Sequence, residues 1–293
     1  MIQTGLKKNI VWLASYPKSG NTWFRMFLAN YLKNAMEPVP LDEIESTPIA
    51  SGISDFEYNT GLNPFEMTPD EVDLYRPDIY RYVSMSADNE GENLVFKKTH
   101  DAYTLNGNGE ALFPSEISMG ALYFIRNPLD VCVSYANHSA GEIENTLNFL
   151  MNEDAFLAGK KRGQLRQILM SWKSHVKSWQ QQTQIPVHIL KYEDMLQNPL
   201  ETFGSAVRFL KLEYDEEKLE RAIRNSDFKY LQQMEKEKGF SEKMQLCNSF
   251  FWKGKIGNYR DFLSPEGVQK IVEYNFEVMK EFGYIDMNNN LTV

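Results

Sequence analysis

Short apolar runs that stop abruptly at polar turns recur along the chain, with amphipathic stretches between them. Asn9-Ile-Val-Trp-Leu-Ala14 predicts a buried strand and runs straight into Ser15-Tyr-Pro-Lys-Ser-Gly20. From Asn21 to Lys33, the residues Trp23, Phe24, Phe27, Leu28, Tyr31 and Leu32 fall at helical spacing. Leu94 to Lys98 predicts a second strand, ending at Thr99-His100. Ala121 to Ile125 predicts a third, ending at Arg126-Asn-Pro128 with a helix after it through Val133. Gln164 to Gln182 reads as one long amphipathic helix, and Val187 to Lys191 as a further strand. The C-terminal third reads as mostly helical, broken by a polar loop from Asn248 to Arg260. Such alternation, without repeats or a linker, predicts one α/β domain over 1–293: a central, mostly parallel sheet flanked by helices.

Residues 36–93 break the pattern. They hold six of the twelve prolines and six aromatics (Phe56, Tyr58, Phe65, Tyr75, Tyr80 and Tyr82) with weak periodicity. The segment reads as a long excursion carrying short helices, with Thr68-Pro-Asp-Glu71 as a helix start. It is also acidic: fourteen carboxylates lie between Glu37 and Glu92, against only Arg76 and Arg81. The whole chain carries a net charge of −9, which argues against a surface built for nucleic acid. With the excursion set apart, the remainder is net positive, so a small basic site fits within it.

Composition is that of a globular protein, 42% hydrophobic and 24% charged over 293 residues. No apolar run approaches the ~18 residues of a membrane span. The N-terminal stretch has only a five-residue apolar run, Ile10 to Ala14, before polar residues and a proline, which does not read as a signal peptide. Cys132 and Cys247 cannot form a disulfide framework, and no cysteine or histidine spacing suggests zinc. A reducing, cytoplasmic location is the natural expectation.

Three successive strands each end in a basic residue and a turn, at Lys18, Lys98-Thr-His100 and Arg126. Ligands of open parallel sheets bind outside the carboxyl ends of the strands, so these side chains are expected to converge on one crevice. Strand, glycine-containing turn and helix around Lys18 also aim backbone N–H groups at an anion. The turn is not the ATPase phosphate loop, because Lys18 precedes Gly20 rather than following a second glycine.

Taken together, Tyr16-Pro-Lys-Ser-Gly-Asn-Thr-Trp23, Lys98-Thr-His100, Arg126-Asn-Pro-Leu-Asp-Val-Cys-Val-Ser134, Lys191-Tyr-Glu-Asp194 and Phe251-Trp-Lys-Gly-Lys-Ile-Gly257 form an ordered set. In this the chain resembles the cytosolic-type sulfotransferases, whose donor is 3′-phosphoadenosine 5′-phosphosulfate (PAPS) and whose product is the desulfated nucleotide PAP. The opening motif looks closest to bacterial members that act on natural products. The resemblance covers nearly the whole chain outside 36–93 and implies a P-loop-kinase-like sulfotransferase fold. It further implies that Lys18 and the backbone of Ser19, Gly20, Asn21 and Thr22 hold the phosphosulfate, and that Arg126 and Ser134 hold the 3′-phosphate. Trp23 and Phe228 match positions that sandwich adenine, with Tyr192 and Ser226 at its edge; both aromatics also fit plain core packing.

The resemblance places the catalytic base at His100, with Lys98 assisting the sulfuryl group. An acceptor hydroxyl needs a base as the new bond forms, and imidazole suits that task. Of the other histidines, His188 reads as structural and His175 as a surface residue of the long helix, while His138 has no motif support. No metal is implied, since lysine and backbone donors can replace the cation that phosphoryl transfer needs.

Two departures stand out. Trp252 occupies the position of an arginine in the family's late loop, before Lys253 and Gly254, so recognition of the 3′-phosphate is expected to rest more heavily on Arg126, with the backbone N–H groups of 253–255 and the side chain of Lys253 or Lys255 as compensating donors. The family's C-terminal dimerisation pattern is absent from Arg260-Asp-Phe-Leu-Ser-Pro-Glu-Gly-Val-Gln269, which leaves the oligomeric state open. The excursion is expected to form part of the acceptor pocket or a lid. The implied activity is sulfuryl transfer to a hydroxyl of a small or medium-sized alcohol, phenol, sterol or natural product. The alternatives are a carbohydrate acceptor, a kinase-like phosphotransferase and a non-catalytic PAP-binding protein.

Overall fold

The computed structural model describes residues 6–89, 94–158 and 163–292. The start of the N-terminal stretch and residues 90–93, the end of the acidic excursion, lie outside them. Four strands, β1 (Ile10–Ser15), β2 (Val95–Thr99), β3 (Ser118–Ile125) and β6 (Val187–Lys191), form one parallel sheet in the order β2-β1-β3-β6. A separate two-stranded ribbon pairs β4 (Phe156–Leu157) with β5 (Gln167–Ile168). Alternate residues of a strand face opposite sides, and here both sides are covered. Trp12, Ala14 and Tyr123 enter one core cluster, while Val11, Leu13, Leu122 and Phe124 enter the other. This explains why the strands read as continuous apolar runs.

Between β1 and β2 lie α1 (Asn21–Leu32), α2 (Ile53–Thr60) and α3 (Pro69–Asn89), with 3₁₀ turns at Leu41–Ser46 and Pro64–Glu66. After β3 come α4 (Pro128–Ser139), α5 (Ile143–Leu150) and α6 (Trp172–Gln181). After β6 come α7 (Tyr192–Gln197), α8 (Pro199–Phe209), α9 (Glu216–Asn225), α10 (Phe228–Lys238) and α11 (Pro265–Glu281). The parallel order follows from these crossovers and puts the ends of β2, β1 and β3 side by side.

Two expectations need correction. Helix Gln164–Gln182 exists only from Trp172: residues 164–171 are not helical, Gln167–Ile168 form β5, and Leu165, Gln167 and Leu169 bury in alternation. Ser171 then caps α6 by accepting from the Ser174 N–H. The excursion does carry short helices, α2 and two 3₁₀ turns, but its last helix, α3, spans 21 residues. Its start is the expected capping box: the Thr68 N–H donates to Glu71 and the Glu71 N–H donates to Thr68 Oγ1. None of the excursion's six aromatics lines the cleft. Phe56 and Tyr80 are buried in the core, Tyr58, Phe65, Tyr75 and Tyr82 are exposed, and a buried Arg76–Asp101 ion pair at 2.6 Å ties α3 to the sheet. Among the described residues of the excursion, only Ile44, Glu45, Pro48 and Ile49 reach the cleft described next.

Candidate active site

The carboxyl ends of β2, β1 and β3 open into a cleft of about 930 Å³, lined by Lys18, Lys98, His100 and Arg126 together. The turn after β1 takes a shape few sequences allow. Lys18 has φ 68° and Gly20 has φ 99°, and a Cβ on Gly20 would meet the Tyr192 ring at 2.8 Å. Gly20 leads into α1 with no side chain capping the first helical amides, which leaves those N–H groups available to an anion. Thr22 and Trp23 line the cleft from α1. Asn21 also borders it, but its amide donates to the Leu13 carbonyl at 2.8 Å and so pins the turn to β1. Ser19 is buried, does not line the cleft, and its hydroxyl has no partner among the described residues.

Lys18 lies with Nζ 3.9 Å over the Phe250 ring, and burial lowers its pKa to about 8. Lys98 points into the cleft from the end of β2 and is likewise lowered by burial, against the pull of Glu242. His100 follows it. Its Nδ1 lies 2.8 Å from the Ser15 carbonyl, an oxygen that can only accept, so Nδ1 carries the hydrogen and Nε2 the lone pair. Burial first, and then the charge of Lys98, hold this imidazole neutral with a pKa of about 3.

Arg126 donates from Nη1 to the Lys18 carbonyl and from Nη2 to the Lys255 carbonyl, both at 3.2 Å. Its guanidinium lies 4.2 Å over the Tyr192 ring, and its Nε has no partner among the described residues. Ser134, two turns into α4, faces the same cleft. Trp23, Tyr192, Phe228, Trp252, Lys253 and Gly254 also line the cleft. Gly254 has φ 62°, and a Cβ there would strike Phe228 at 2.6 Å, so this loop lies against the Phe228 ring. Trp252 packs against Phe262. Trp23 borders the cleft and also donates from its indole N–H to the Ser226 carbonyl at 2.9 Å, so it is not plain core. Ser226, like Ser19, does not line the cleft: it is fully buried, and its hydroxyl donates to Ala222 in the preceding helical turn.

Several residues of the site have no local signal in the sequence. His175, expected at the surface, is fully buried. Tyr123 donates to its Nδ1, and its Nε2–H donates to the His100 carbonyl at 3.1 Å, while Gln167 accepts from the His100 N–H. Asp130 accepts from the Gly257 and Tyr259 N–H groups and so fastens the late loop beside Arg126. Buried Glu193 accepts from the Asn127 N–H and fixes the turn after β3. Arg25 and Glu242 also border the cleft. His138 lines it without any motif to mark it. Among the described residues, no three His, Cys, Asp or Glu side chains gather as metal ligands, and no helix is long and apolar enough to cross a membrane.

The family model for the sulfotransferase domain matches residues 8–283. The chain is similar to the luciferin sulfotransferase of Photinus pyralis, 25% identical over 89% of this chain and 69% of that one. It is also similar to cytosolic sulfotransferase 17 of Arabidopsis thaliana, 23% identical over 95% and 77%. Among solved structures, a mouse sulfotransferase complexed with PAP superposes with a TM-score of 0.59 at 18% identity, over 95% of this chain and 89% of that one. A retinol dehydratase in complex with retinol and PAP gives 0.60 at 20%, over 94% and 82%. These likenesses show the fold.

Proposed function

Because the chain belongs to the sulfotransferase family, we propose that it transfers the sulfuryl group of PAPS to a hydroxyl of a small or medium-sized acceptor, with His100 as the base. The observation that carries this reading is the tautomer of His100: Nδ1–H is tied to Ser15, so the basic nitrogen is Nε2, on a side chain that lines the cleft. The anion-binding groups fit the donor. The open amides of α1 and the ammonium of Lys18 suit a phosphosulfate, while Arg126, with its unpartnered Nε, and Ser134 suit a 3′-phosphate. Between Trp23 and Phe228 the cleft has aromatic walls suited to a purine.

In the reaction the acceptor oxygen forms a bond to sulfur as the bond from sulfur to the bridging phosphate oxygen breaks. The acceptor proton passes to His100 Nε2, and the electron pair of the broken bond stays on the phosphate oxygen of PAP. Lys18 neutralises that oxygen, and Lys98 the sulfuryl group. His100 is neutral at physiological pH and therefore able to accept. No group other than the chain's own side chains and the two substrates is needed in this scheme.

Ile44, Ile49, Phe156, Leu157 and Phe250 give the cleft an apolar wall, which suits an alcohol, phenol or sterol on an apolar skeleton. The neighbour solved with retinol and PAP fits the same class, and the cytosolic relatives support a cytoplasmic location. The test is transfer of label from sulfur-labelled PAPS to a panel of such hydroxyl compounds. His100→Gln is expected to lower kcat by about 10²-fold or more while PAP affinity stays within a small factor of wild type. Equal turnover in the variant contradicts the assignment of the base.

A further inference from the structure

Glu242 places a carboxylate inside the cleft against three donors. Its Oε1 lies 2.6 Å from Nη1 of Arg25 and 3.0 Å from Nζ of Lys98, and its Oε2 accepts from Thr22 Oγ1 at 3.1 Å. These donors come from separate elements, Thr22 and Arg25 from α1 and Lys98 from β2. Arg25 is buried and fixed: its Nε donates to Thr47 Oγ1, and its Nη2 donates to the Ile44 and Thr47 carbonyls, at 2.7–2.8 Å. Only Nη1 is turned to Glu242. A buried guanidinium with one N–H edge aimed into a cleft demands an anion there. The anion it has is carried by a loop after α10, residues 239–250, that contains no helix or strand.

We propose that Arg25, Lys98 and Thr22 form the pocket for the phosphosulfate end of the donor, and that Glu242 is an internal anion filling this pocket until the donor displaces it. Arg25 is then a binding residue of the reaction, and the loop carrying Glu242 must withdraw before the donor seats. The proposal deepens the donor reading above and rests on it for the identity of the anion. It follows from charge and geometry. A carboxylate and a phosphosulfate oxygen compete for the same N–H and O–H groups, and the two negative charges repel at close range. The depressed pKa of Glu242 keeps the carboxylate ionised at every pH of interest, so displacement requires a competing anion rather than a proton.

Calorimetric titration with PAP, and in parallel with inorganic pyrophosphate as a bare anion, tests this. Glu242→Gln is expected to bind both about tenfold more tightly than wild type. Glu242→Asp keeps the charge but shortens the reach, and it is expected to gain affinity as well. Glu45→Gln removes a charge from an exposed carboxylate on the rim of the same cleft and is expected to shift affinity by no more than about twofold. Arg25→Gln placed in the Glu242→Gln protein is expected to reverse the gain. Unchanged or weaker anion binding in folded Glu242→Gln overturns the proposal. So does a gain no larger than that of Glu45→Gln, or a Glu242→Asp protein identical to wild type. A protein that fails to distinguish PAP from ADP removes the donor reading instead, and the pyrophosphate arm still decides the role of Glu242.

Discussion

Arg126 is held by weak acceptors. Two backbone carbonyls at 3.2 Å and the Asp130 carboxylate at 3.7 Å surround a nearly buried guanidinium whose Nε is left over. Its stacking on Tyr192 fixes the plane without supplying a counter-charge. A phosphate approaching this edge meets an oriented donor set whose charge is incompletely offset. Trp252 packs on Phe262 where the family has an arginine, so no second guanidinium comes from that position. Arg126→Ala is therefore expected to weaken PAP binding by about 30-fold or more, the size of a lost charge-assisted pair. ADP, which has no 3′-phosphate, is expected to bind the two proteins alike, and calorimetry of both nucleotides reads the difference. Equal PAP affinity in the variant contradicts this role.

Among the elements, the four strands of the main sheet were legible because each is an apolar run with a sharp polar end. The basic residues at those ends were legible for the same reason, and the topology brings them together. The start of α3 was legible through its capping box, but its length was not. Pro77 lies inside it, and its apolar positions are sparse because only one side meets the core. Residues 164–171 were misread because Leu165, Gln167 and Leu169 bury at a period of two, and this ran on into the helical period of α6 without a visible break. That misreading also put His175 on the surface, since its partners Tyr123 and the His100 carbonyl come from other elements. Glu242 and Arg25 were invisible for a related reason. One is a charge in an irregular polar loop and the other a polar residue in a buried helix, and only the fold makes them neighbours.

For the molecule as a whole, a net charge of −9 surrounds a cleft lined by Lys18, Arg25, Lys98, Arg126 and Lys253, so the basic site is local rather than spread over the surface. Stability carries a pH signature of the same interior. Burial lowers His100 from 6.5 to about 3 and His175 to about 4, so both are neutral in the folded state. The unfolded chain protonates them near 6.5 and the folded one resists. Stability is thus complete above pH 6.5 and lost as the pH falls from 6.5 towards 4 and 3, at about 1.4 kcal/mol per pH unit for each histidine. Thermal melts are expected to show Tm falling steadily between pH 6.5 and pH 4.5, and a flat Tm over that range contradicts the burial of the two imidazoles. The central claim is that the cleft is built for a 3′-phosphorylated adenine nucleotide. Calorimetric titration of the wild-type protein with PAP against ADP, without added metal, addresses it directly. Tight PAP binding with ADP weaker by about 30-fold or more is the predicted result; equal affinities, or no binding of PAP, would contradict the claim.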